Sequence, residues 1–397
     1  MAGDFFISTF QPKANIKVLG LGGCGGNAIR HMVEQGLVGA ELIAANTDLQ
    51  ALSLSKAPKT IQLGERIAGG LGAGCDPEVG KKATEESIEE IQQEINGLDM
   101  LFITGGLGGG TGTGSMPVVA QIAKELGVLT VAVVTKPFIM EGTKKMKIAE
   151  EGLLQLEEVA DSVIVIPNQK AIELDRKIPF KKACELINNV LFKAVKGIVD
   201  LIQFAGFLNL DMKDVRRIMK GAGRGIIGMG HASGENKVQE AVEEAISNPL
   251  VENNSIEGCT GAIINISMNP EEFTMDDFET AVSAVSQHAA PDAEIKTGVV
   301  ERNDFHDEVY ITVIATGFDN YRNNQPANKR ESSTLLRTSR GQEARTTLIN
   351  SSQSRVRRIT DVNQMNIPME NDSHEVAISE DLTSIPAFIT HIQKLKK

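Results

Sequence analysis

The sequence predicts an α/β protein with a mostly parallel sheet, followed by a smaller α/β domain. Short, almost continuously apolar runs alternate with amphipathic stretches from Ile16 onward, which is typical of strands buried on both faces of a parallel sheet. Glycine is abundant, at 38 of 397 residues, and much of it lies where an apolar run ends and a helical pattern begins. Such clusters let backbone approach a ligand closely, so we expect a ligand site at the carboxyl ends of the strands.

Six apolar runs and four helical patterns define the first predicted domain. The runs cover residues 16–19, 41–45, 60–63, 100–104, 129–134 and 162–166, and the helical patterns cover 27–35, 78–95, 115–126 and 142–159. At 180–204, apolar residues recur at i, i+3, i+4 and i+7 over about seven turns. This stripe predicts a long central helix that joins two domains, although one ordinary buried helix is equally compatible with it.

The second predicted domain has helices at 211–220, 236–247 and 275–288 and strands at 262–267, 294–299 and 308–315. After residue 318 the chain is rich in Asn, Ser, Thr, Arg and Gln, which predicts a disordered linker. Apolar character returns at 382–395, which indicates a partner-binding peptide or, alternatively, a frayed tail. The predicted map is a flexible N-terminus at 1–14, domains at 15–179 and 205–318, the central helix at 180–204, a linker at 319–378 and a tail peptide at 379–397.

Composition excludes several classes of protein. The net charge is −12 and aromatic residues make up 4% of the chain, which disfavours nucleic-acid binding. Four cysteines without a CxxC pair, and an N-terminus unlike a secretion signal, predict a reduced cytosolic protein. No apolar run approaches the roughly 18 residues of a membrane span. No GxxxxGK[ST] or HExxH motif occurs, so neither a P-loop nor a zinc hydrolase is expected.

Two glycine clusters stand at predicted strand-to-helix junctions. GLGGCGG at 20–26 is a weak signal, because it also suits a dinucleotide-binding fold. The cluster at 105–114 is stronger, since its glycines adjoin Thr111 and Thr113, and a flexible linker would not sit between a buried strand and a helix. Backbone amides and threonine hydroxyls in such loops can hold phosphates. Two such loops predict a nucleotide with several phosphates.

GLGGGTGTG at 106–114 resembles the signature loop of the FtsZ family, the tubulin-like GTPases of bacterial cell division. Further motifs match the family in order: NTD at 46–48, GLGAGCDPEVG at 70–80, TKPFIMEG at 135–142, IPN at 166–168, NLDMKDV at 209–215, SNPL at 247–250, ITVIATG at 311–317 and the terminal SIPAFIT. The resemblance implies a tubulin-like fold, in which a GTP-binding domain is joined by the central helix to a smaller C-terminal domain. It also implies GTP or GDP as ligand, with Mg²⁺, and no metal ligands from the protein itself.

The resemblance further implies a role for each loop. Glycines and threonines of the two clusters would hold phosphates, Asn46, Ala73 and Gly74 would shape the γ-phosphate side, and Glu141 would bond the ribose. The nucleotide-binding set is Gly22, Gly23, Gly25, Gly26, Asn27, Asn46, Ala73, Gly74, Gly108, Gly109, Gly110, Thr111, Gly112, Thr113, Glu141, Lys145, Asn168 and Asn188. Asn27 and Asn168 would contact the sugar or base, and Asn188 the guanine edge.

The family's catalytic residues correspond here to Asn209, Asp211 and Asp214. The resemblance implies that they act in the neighbouring subunit's site when subunits stack head to tail. Carboxylates at i and i+3 lie on one side of a helix and can polarise a water beside the γ-phosphate. The alternative is helix capping by Asp211, with Asp214 in the first turn. Head-to-tail stacking generates an open filament and would couple hydrolysis to assembly.

Three positions depart from the family pattern and predict weaker or less selective nucleotide binding. Cys184 stands where many members have an aromatic side chain, Asn188 where many have Asp, and Lys145 where many have Arg. Asn offers one acceptor oxygen, and Lys lacks the bidentate guanidinium fork.

The resemblance also implies cellular roles. Membrane-tethering and regulatory division proteins would bind the tail through Ile385, Pro386, Phe388 and Ile389, and the protein would act in the cytoplasm at the mid-cell division site. Other hypotheses are an NAD-dependent oxidoreductase, whose ribose-binding acid would be Glu41 or Asp48, a non-hydrolysing tubulin-like scaffold, and a plasmid-segregation relative.

Overall fold

In the computed structural model the residues described are 14–174, 177–204, 206–208, 210–247, 255–302 and 305–318. Their strands are β1 Ile16–Leu21, β2 Glu41–Asn46, β3 Lys59–Gln62, β4 Met100–Gly106, β5 Leu129–Lys136, β6 Ser162–Pro167, β7 Gly223–Ser233, β8 Gly261–Met268, β9 Glu294–Glu301 and β10 Glu308–Thr316. Their helices are α1 Gly22–Glu34, α2 Leu49–Ser53, α3 Glu65–Ala68, α4 Pro77–Glu86, α5 Ile88–Ile95, α6 Thr111–Glu125, α7 Thr143–Val159, α8 Gln169–Leu174, α9 Phe180–Gln203, α10 Met212–Met219, α11 Lys237–Ile246 and α12 Met275–His288.

The described strands form one ten-stranded sheet in the order β3-β2-β1-β4-β5-β6-β7-β10-β8-β9. Every pairing from β3 to β7 is parallel, as the continuous apolar runs predict. In the second half β10 runs antiparallel to both β7 and β8, while β8 and β9 are parallel. The predicted α/β class is therefore confirmed.

Helices cover both faces of the parallel strands, which explains why those strands are apolar throughout. Val18 and Phe102 belong to a core shared with α1 and α9. Their chain neighbours Leu19 and Ile103 point to the opposite face and belong to a second core shared with α5, α6 and α7. Successive side chains of a strand alternate between faces, so both faces must be apolar.

The predicted long central helix is present as α9, with 24 residues. Its buried face, including Ile187, Val195 and Ile198, lies in the core that also contains Val18 of β1 and Ile314 of β10. At about 1.5 Å per residue the helix spans about 36 Å, enough to pack along both halves of the sheet. The apolar face of this one helix thus packs against strands from both halves of the chain.

Two predicted boundaries were wrong at the glycine clusters. Helix α1 begins at Gly22 and α6 at Thr111, so part of each predicted loop is the first turn of a helix. Pro117 lies inside α6. The single helix predicted at 78–95 is divided at Ser87, whose hydroxyl accepts a 3.1 Å hydrogen bond from the Gly64 amide.

Strand β7 was not predicted from the sequence. Its segment, GRGIIGMGHAS, contains glycines that usually weaken a strand. A Cβ atom on Gly228 would lie 1.7 Å from the Ala245 carbonyl oxygen, and one on Gly230 1.8 Å from that of Ala241. Glycine is therefore needed because α11 packs directly on the strand backbone.

Candidate functional site

A cavity of about 440 Å³ lies at the carboxyl ends of the parallel strands. It opens beside β1 and β4, where the strand order reverses because β1 pairs with β2 on one side and β4 on the other. Ligands bind at such a switch point in open α/β sheets. The lining residues are Leu21, Gly22, Gly23, Cys24, Asn46, Asp48, Ala51, Leu71, Gly72, Ala73, Gly74, Cys75, Gly106, Leu107, Gly108, Gly109, Gly110, Thr111, Gly112, Thr135, Pro137, Glu141, Lys145 and Asn168.

The two predicted phosphate loops meet in this cavity. Gly22 has a φ of +72°, and a Cβ atom there would lie 2.9 Å from the Gly112 amide nitrogen. The amino ends of α1 and α6 therefore lie side by side, and both helix dipoles favour an anion at this point. At Gly23 and Gly109, by contrast, a Cβ atom would meet no protein atom within 4 Å. Backbone at these two positions is open to a ligand.

The threonine hydroxyls of the second cluster are engaged within the protein. Thr111 Oγ1 lies 2.6 Å from Thr47 Oγ1, and Thr113 Oγ1 accepts a 2.9 Å hydrogen bond from the Gly108 amide. Thr113 is buried and does not line the cavity. These contacts hold the loop in shape. Sequence reasoning missed Thr47, although it lies inside the quoted NTD motif.

The cavity also offers polar side chains that suit a sugar or base. The Glu141 carboxylate accepts a 2.8 Å hydrogen bond from the Phe138 amide and pairs with the Lys145 ammonium at 3.0 Å. That pair raises the pKa of Lys145 above its ordinary value, chiefly through its hydrogen bond with Glu141. Asn168 Oδ1 is buried and has no hydrogen-bond partner. An unpaired buried acceptor is costly, so this atom fits a ligand that donates a hydrogen bond.

The cavity gathers most, but not all, of the predicted nucleotide-binding residues. Those that line it are Gly22, Gly23, Asn46, Ala73, Gly74, Gly108, Gly109, Gly110, Thr111, Gly112, Glu141, Lys145 and Asn168, whereas Gly25, Gly26, Asn27, Thr113 and Asn188 do not. Gly25 packs against backbone, because a Cβ atom there would lie 2.7 Å from the Thr104 carbonyl oxygen. Asn188 is half-buried on α9, and Asn27 is exposed on α1.

Asp211 and Asp214 lie at the opposite edge of the sheet. They begin α10, and the Arg216 side chain of that helix donates 3.1 Å hydrogen bonds to the carbonyl oxygens of Asp99 and Gly127. Those carbonyls precede the amino ends of β4 and β5. The seven residues of β4 span about 23 Å at about 3.3 Å per residue, which separates α10 from the cavity.

The predicted capping role of Asp211 is present. Its carboxylate accepts 2.8 Å hydrogen bonds from the amides of Lys213 and Asp214. Asp214 pairs with Lys296 at 2.9 Å. This contact is the main reason why the pKa of the Asp214 carboxyl is lowered, and hydrogen bonds with Asp211 lower it further. Asp214 is therefore ionised at neutral pH. Asn209 lies outside the described residues.

In the described part of the chain no helix is long and apolar enough to cross a bilayer. No three or more His, Cys, Asp or Glu side chains there converge to form a metal site. A larger cavity, of about 550 Å³, lies between α4, α5, α6 and α7, but no residue of 20–26 or 105–112 lines it.

Comparison with known proteins identifies the class of this fold and site. Residues 15–175 match the family model described as Tubulin/FtsZ family, GTPase domain, and residues 223–319 match FtsZ family, C-terminal domain. The chain therefore has the domain composition of a tubulin-like GTPase.

Individual relatives narrow the class. The chain is 46% identical over 314 residues to the cell division protein FtsZ of Coxiella burnetii (strain RSA 493 / Nine Mile phase I), covering 79% of this chain and 81% of the relative. An empty FtsZ dimer of M. jannaschii is 43% identical, with a TM-score of 0.72 over 77% of this chain and 89% of that one. A GTPγS-bound CetZ2 protofilament from Haloferax volcanii shares the fold, with a TM-score of 0.67, 19% identity and coverage of 78% of this chain and 98% of that one. This chain belongs to the FtsZ family of cell-division GTPases.

Proposed function

We propose that this chain binds GTP in the cavity at the carboxyl ends of β1 and β4 and hydrolyses it in a site completed by a second copy of the chain. The observation that carries the proposal is the position of the candidate groups on one sheet. Phosphate loops lie at the carboxyl ends of the strands, whereas Asp211 and Asp214 lie beside the amino ends. A rigid sheet keeps these groups apart within one chain, so only another copy can bring them together.

Features of the cavity fit GTP. The amino ends of α1 and α6 suit its phosphates, and Gly23 and Gly109 leave room for them. Asn168 Oδ1 suits a donor on the sugar or base. Of the lining carboxylates, Asp48 caps α2 and Glu141 pairs with Lys145. Mg²⁺ would therefore be bound mainly by the phosphates of the nucleotide, as is common for this ion.

A dinucleotide-dependent oxidoreductase fits the structure less well. Glu41 is the first residue of β2 and pairs with Lys17 at 3.0 Å, so it lies at the wrong end of the strand for a ribose. Asp48 does reach the cavity, but its carboxylate accepts hydrogen bonds from the Gln50 and Ala51 amides.

Both edges of the sheet carry exposed apolar side chains that suit a subunit contact. Leu71, on the cavity lining, is 90% exposed, and Met140, next to Glu141, is 69% exposed. Near Asp211, Phe207 is 78% exposed. Large apolar side chains exposed at two different surfaces fit a heterologous contact, which repeats into a filament. We propose that such filaments form the division ring at mid-cell.

Replacing Gly109 by Asp tests nucleotide binding in the cavity. The side chain enters open space, so the fold should persist, but its charge would lie near the phosphates. Like charges about 4 Å apart repel by about 1 kcal/mol in water and about 4 kcal/mol at an effective dielectric of 20. We expect about 2 kcal/mol, or roughly a 30-fold weaker GTP affinity by calorimetry. Gly109→Asn is the neutral control of the same shape and should lose much less. Equal losses in the two variants would contradict an anion at this position.

A mixing experiment tests whether the hydrolytic site lies between copies. Gly109→Asp weakens nucleotide binding to its own cavity, and Asp211→Asn removes the carboxylate offered to the next copy. At a GTP concentration near the Kd of the unmodified chain, a roughly 30-fold weaker affinity leaves only about one Gly109→Asp cavity in thirty occupied, so each variant alone should be nearly inactive. In an equal mixture about a quarter of randomly formed junctions combine an intact cavity with an intact Asp211, so about a quarter of the activity should return.

The mixture has an internal control. Two Asp211→Asn preparations mixed with each other should gain nothing. If the mixed variants yield only the sum of their separate activities, the site is complete within one chain and the proposal is wrong. The tail contacts proposed for Ile385, Pro386, Phe388 and Ile389, with membrane-tethering and regulatory division proteins as partners, lie outside the described residues.

A further inference from the structure

The chain on either side of Asp211 is held by one strand, β9, which forms an edge of the described sheet. Three residues before Asp211, the Leu208 carbonyl oxygen accepts a 3.0 Å hydrogen bond from the Val299 amide. Three residues after it, the Asp214 carboxylate pairs with the Lys296 ammonium at 2.9 Å. Val299 and Lys296 lie about 10 Å apart along the strand, at about 3.3 Å per residue. Strand β9 therefore holds the segment that carries Asp211 at two points.

This segment packs closely on β9. A Cβ atom on Gly206 would lie 1.8 Å from the Val299 carbonyl oxygen, so the chain that leaves α9 lies directly on the strand backbone. A Cβ atom on Gly298 would lie 3.6 Å from a methyl carbon of Leu210. Lys296 is two residues from Gly298, so both belong to the same face of the strand. Lys296 therefore stands on the face of β9 that contacts the segment leading to α10.

The charges around Asp214 form a short network of ion pairs between α10 and β9. The Lys296 ammonium lies 2.9 Å from Asp214 Oδ1 and 3.8 Å from Glu294 Oε1. Glu294 is already paired with Arg217, whose Nε lies 2.7 Å from its second carboxylate oxygen. The pKa of Lys296 is raised above its ordinary value, chiefly by its hydrogen bond with Asp214. The positive charge of Lys296 is therefore directed mainly to Asp214.

The other cations near the start of α10 do not replace Lys296. Arg216 donates its hydrogen bonds to backbone carbonyl oxygens, and Lys213 makes no ion pair with any described residue. Asp211 and Asp214 bring two negative charges to this end of the helix. Among the described residues, Lys296 is therefore the cation in direct contact with this carboxylate pair.

The two carboxylates differ in what their oxygens contact. Asp214 uses Oδ1 for Lys296, and its Oδ2 accepts a long, 3.5 Å hydrogen bond from the Asp211 amide. Asp211 uses Oδ1 for two amides of its own helix, while its Oδ2 accepts no hydrogen bond from any described residue. Asp211 Oδ2 is therefore the oxygen left for an attacking water. Asp214 and Lys296 support the backbone that presents it.

We propose that Lys296 is a positioning residue for GTP hydrolysis, whose ammonium fixes Asp214 and offsets the repulsion between the carboxylates of α10 and the phosphates held by the neighbouring copy. The inference rests on the proposed function, because it assumes that Asp211 enters that copy's cavity. A nearby negative charge disfavours the ionised form of an acid, and a cation beside the acid favours that form. Lys296 therefore acts through Asp214, without a contact to the nucleotide.

Lys296→Met tests this role, because methionine keeps an unbranched apolar chain and removes the charge. Turnover by assembled chains, measured as phosphate release per pelleted chain, should fall about tenfold at neutral pH, less than the roughly 100-fold that a 1 Å misplacement can cost. The KM for GTP should stay within about twofold, because the nucleotide cavity lies at the other edge of the sheet. Lys296→Arg keeps the charge and should retain turnover within about threefold.

The pH dependence separates this role from a merely structural one. Lys296 holds the pKa of Asp214 low, so without Lys296 that pKa rises and Asp214 takes up a proton at a higher pH. The acid limb of turnover against pH should therefore move to higher pH in Lys296→Met, and part of the lost turnover should return as the pH is raised. Asparagine at position 214 cannot ionise, so adding Lys296→Met to Asp214→Asn should cost little more.

Arg217→Met is the matched control. It removes a cation from the second ion pair between α10 and β9, and in the part of the chain described neither Arg217 nor Glu294 forms an ion pair or hydrogen bond with Asp211 or Asp214. The Arg217 side chain is 71% exposed, so turnover should stay within about twofold, with an unchanged pH profile. Equal losses in the two variants, an acid limb that does not move, or normal turnover in Lys296→Met while Asp211→Asn is inactive would overturn the inference alone. Normal hydrolysis by Asp211→Asn filaments would overturn the proposed function instead.

Discussion

Asp211→Asn is expected to lower GTP hydrolysis by assembled chains about 1,000-fold, within the range found when a positioned general base is removed. Asparagine keeps the side-chain oxygen that caps α10 but lacks the charge that would polarise an attacking water. The GTP affinity of the unassembled chain should not change, because α10, which Asp211 caps, is held at the amino end of β4, and the length of that strand, about 23 Å, lies between this helix and the cavity. Phosphate release under conditions that pellet the protein, together with nucleotide binding at dilution, measures both quantities.

Two variants separate catalysis from helix capping. Asp211→Ala removes the cap as well as the charge, so it should lose turnover equally and in addition about 1 kcal/mol of stability. Asp277→Asn alters the third residue of a similar capping box, with Thr274 at the start of α12. It should leave turnover within about twofold of the unmodified chain. If Asp211→Asn hydrolyses GTP at the normal rate in filaments, the carboxylate is a helix cap and nothing more.

Gly230→Ala is expected to destabilise the second half of the chain by about 3 kcal/mol, near the upper end of the usual cost of overpacking. The added methyl group would lie 1.8 Å from the Ala241 carbonyl oxygen and 2.9 Å from the Ala245 amide nitrogen. These are backbone atoms of α11, so no side-chain rotation can relieve the overlap and the whole helix must move off β7. Urea unfolding followed by circular dichroism measures the loss.

The control for this prediction is another glycine-to-alanine change in the same chain. At Gly109 a Cβ atom meets nothing within 4 Å, so Gly109→Ala should leave the unfolding midpoint without nucleotide nearly unchanged. Comparing the two variants removes the general effect of replacing glycine. An unfolding midpoint for Gly230→Ala that matches the unmodified chain would show that α11 does not pack this closely on the strand.

Most of the parallel half of the sheet was predictable because its signals are local. Each of β1 to β6 is an apolar run that ends near a glycine or polar loop, and each overlaps its predicted range. Strand β7 was missed because its glycines are required by the close packing of α11 on the strand. That contact is visible only in the folded structure. The breadth of the glycine loops was overestimated, because the first turns of α1 and α6 are built from glycine and threonine.

The sequence by itself determined the α/β class, the central helix, the two glycine loops and the family resemblance, since each signal lies in contiguous residues and in their order along the chain. Tertiary structure decided what those residues face. It pairs Thr111 with Thr47, 64 positions away, so the hydroxyl that was predicted to bind a phosphate instead stabilises the loop. It also ties α10 to Asp99, 117 positions from Arg216, and thereby places Asp211 at the far edge of the sheet from the cavity. Contacts between distant residues depend on how the sheet and its helices pack, so a local sequence pattern cannot predict them.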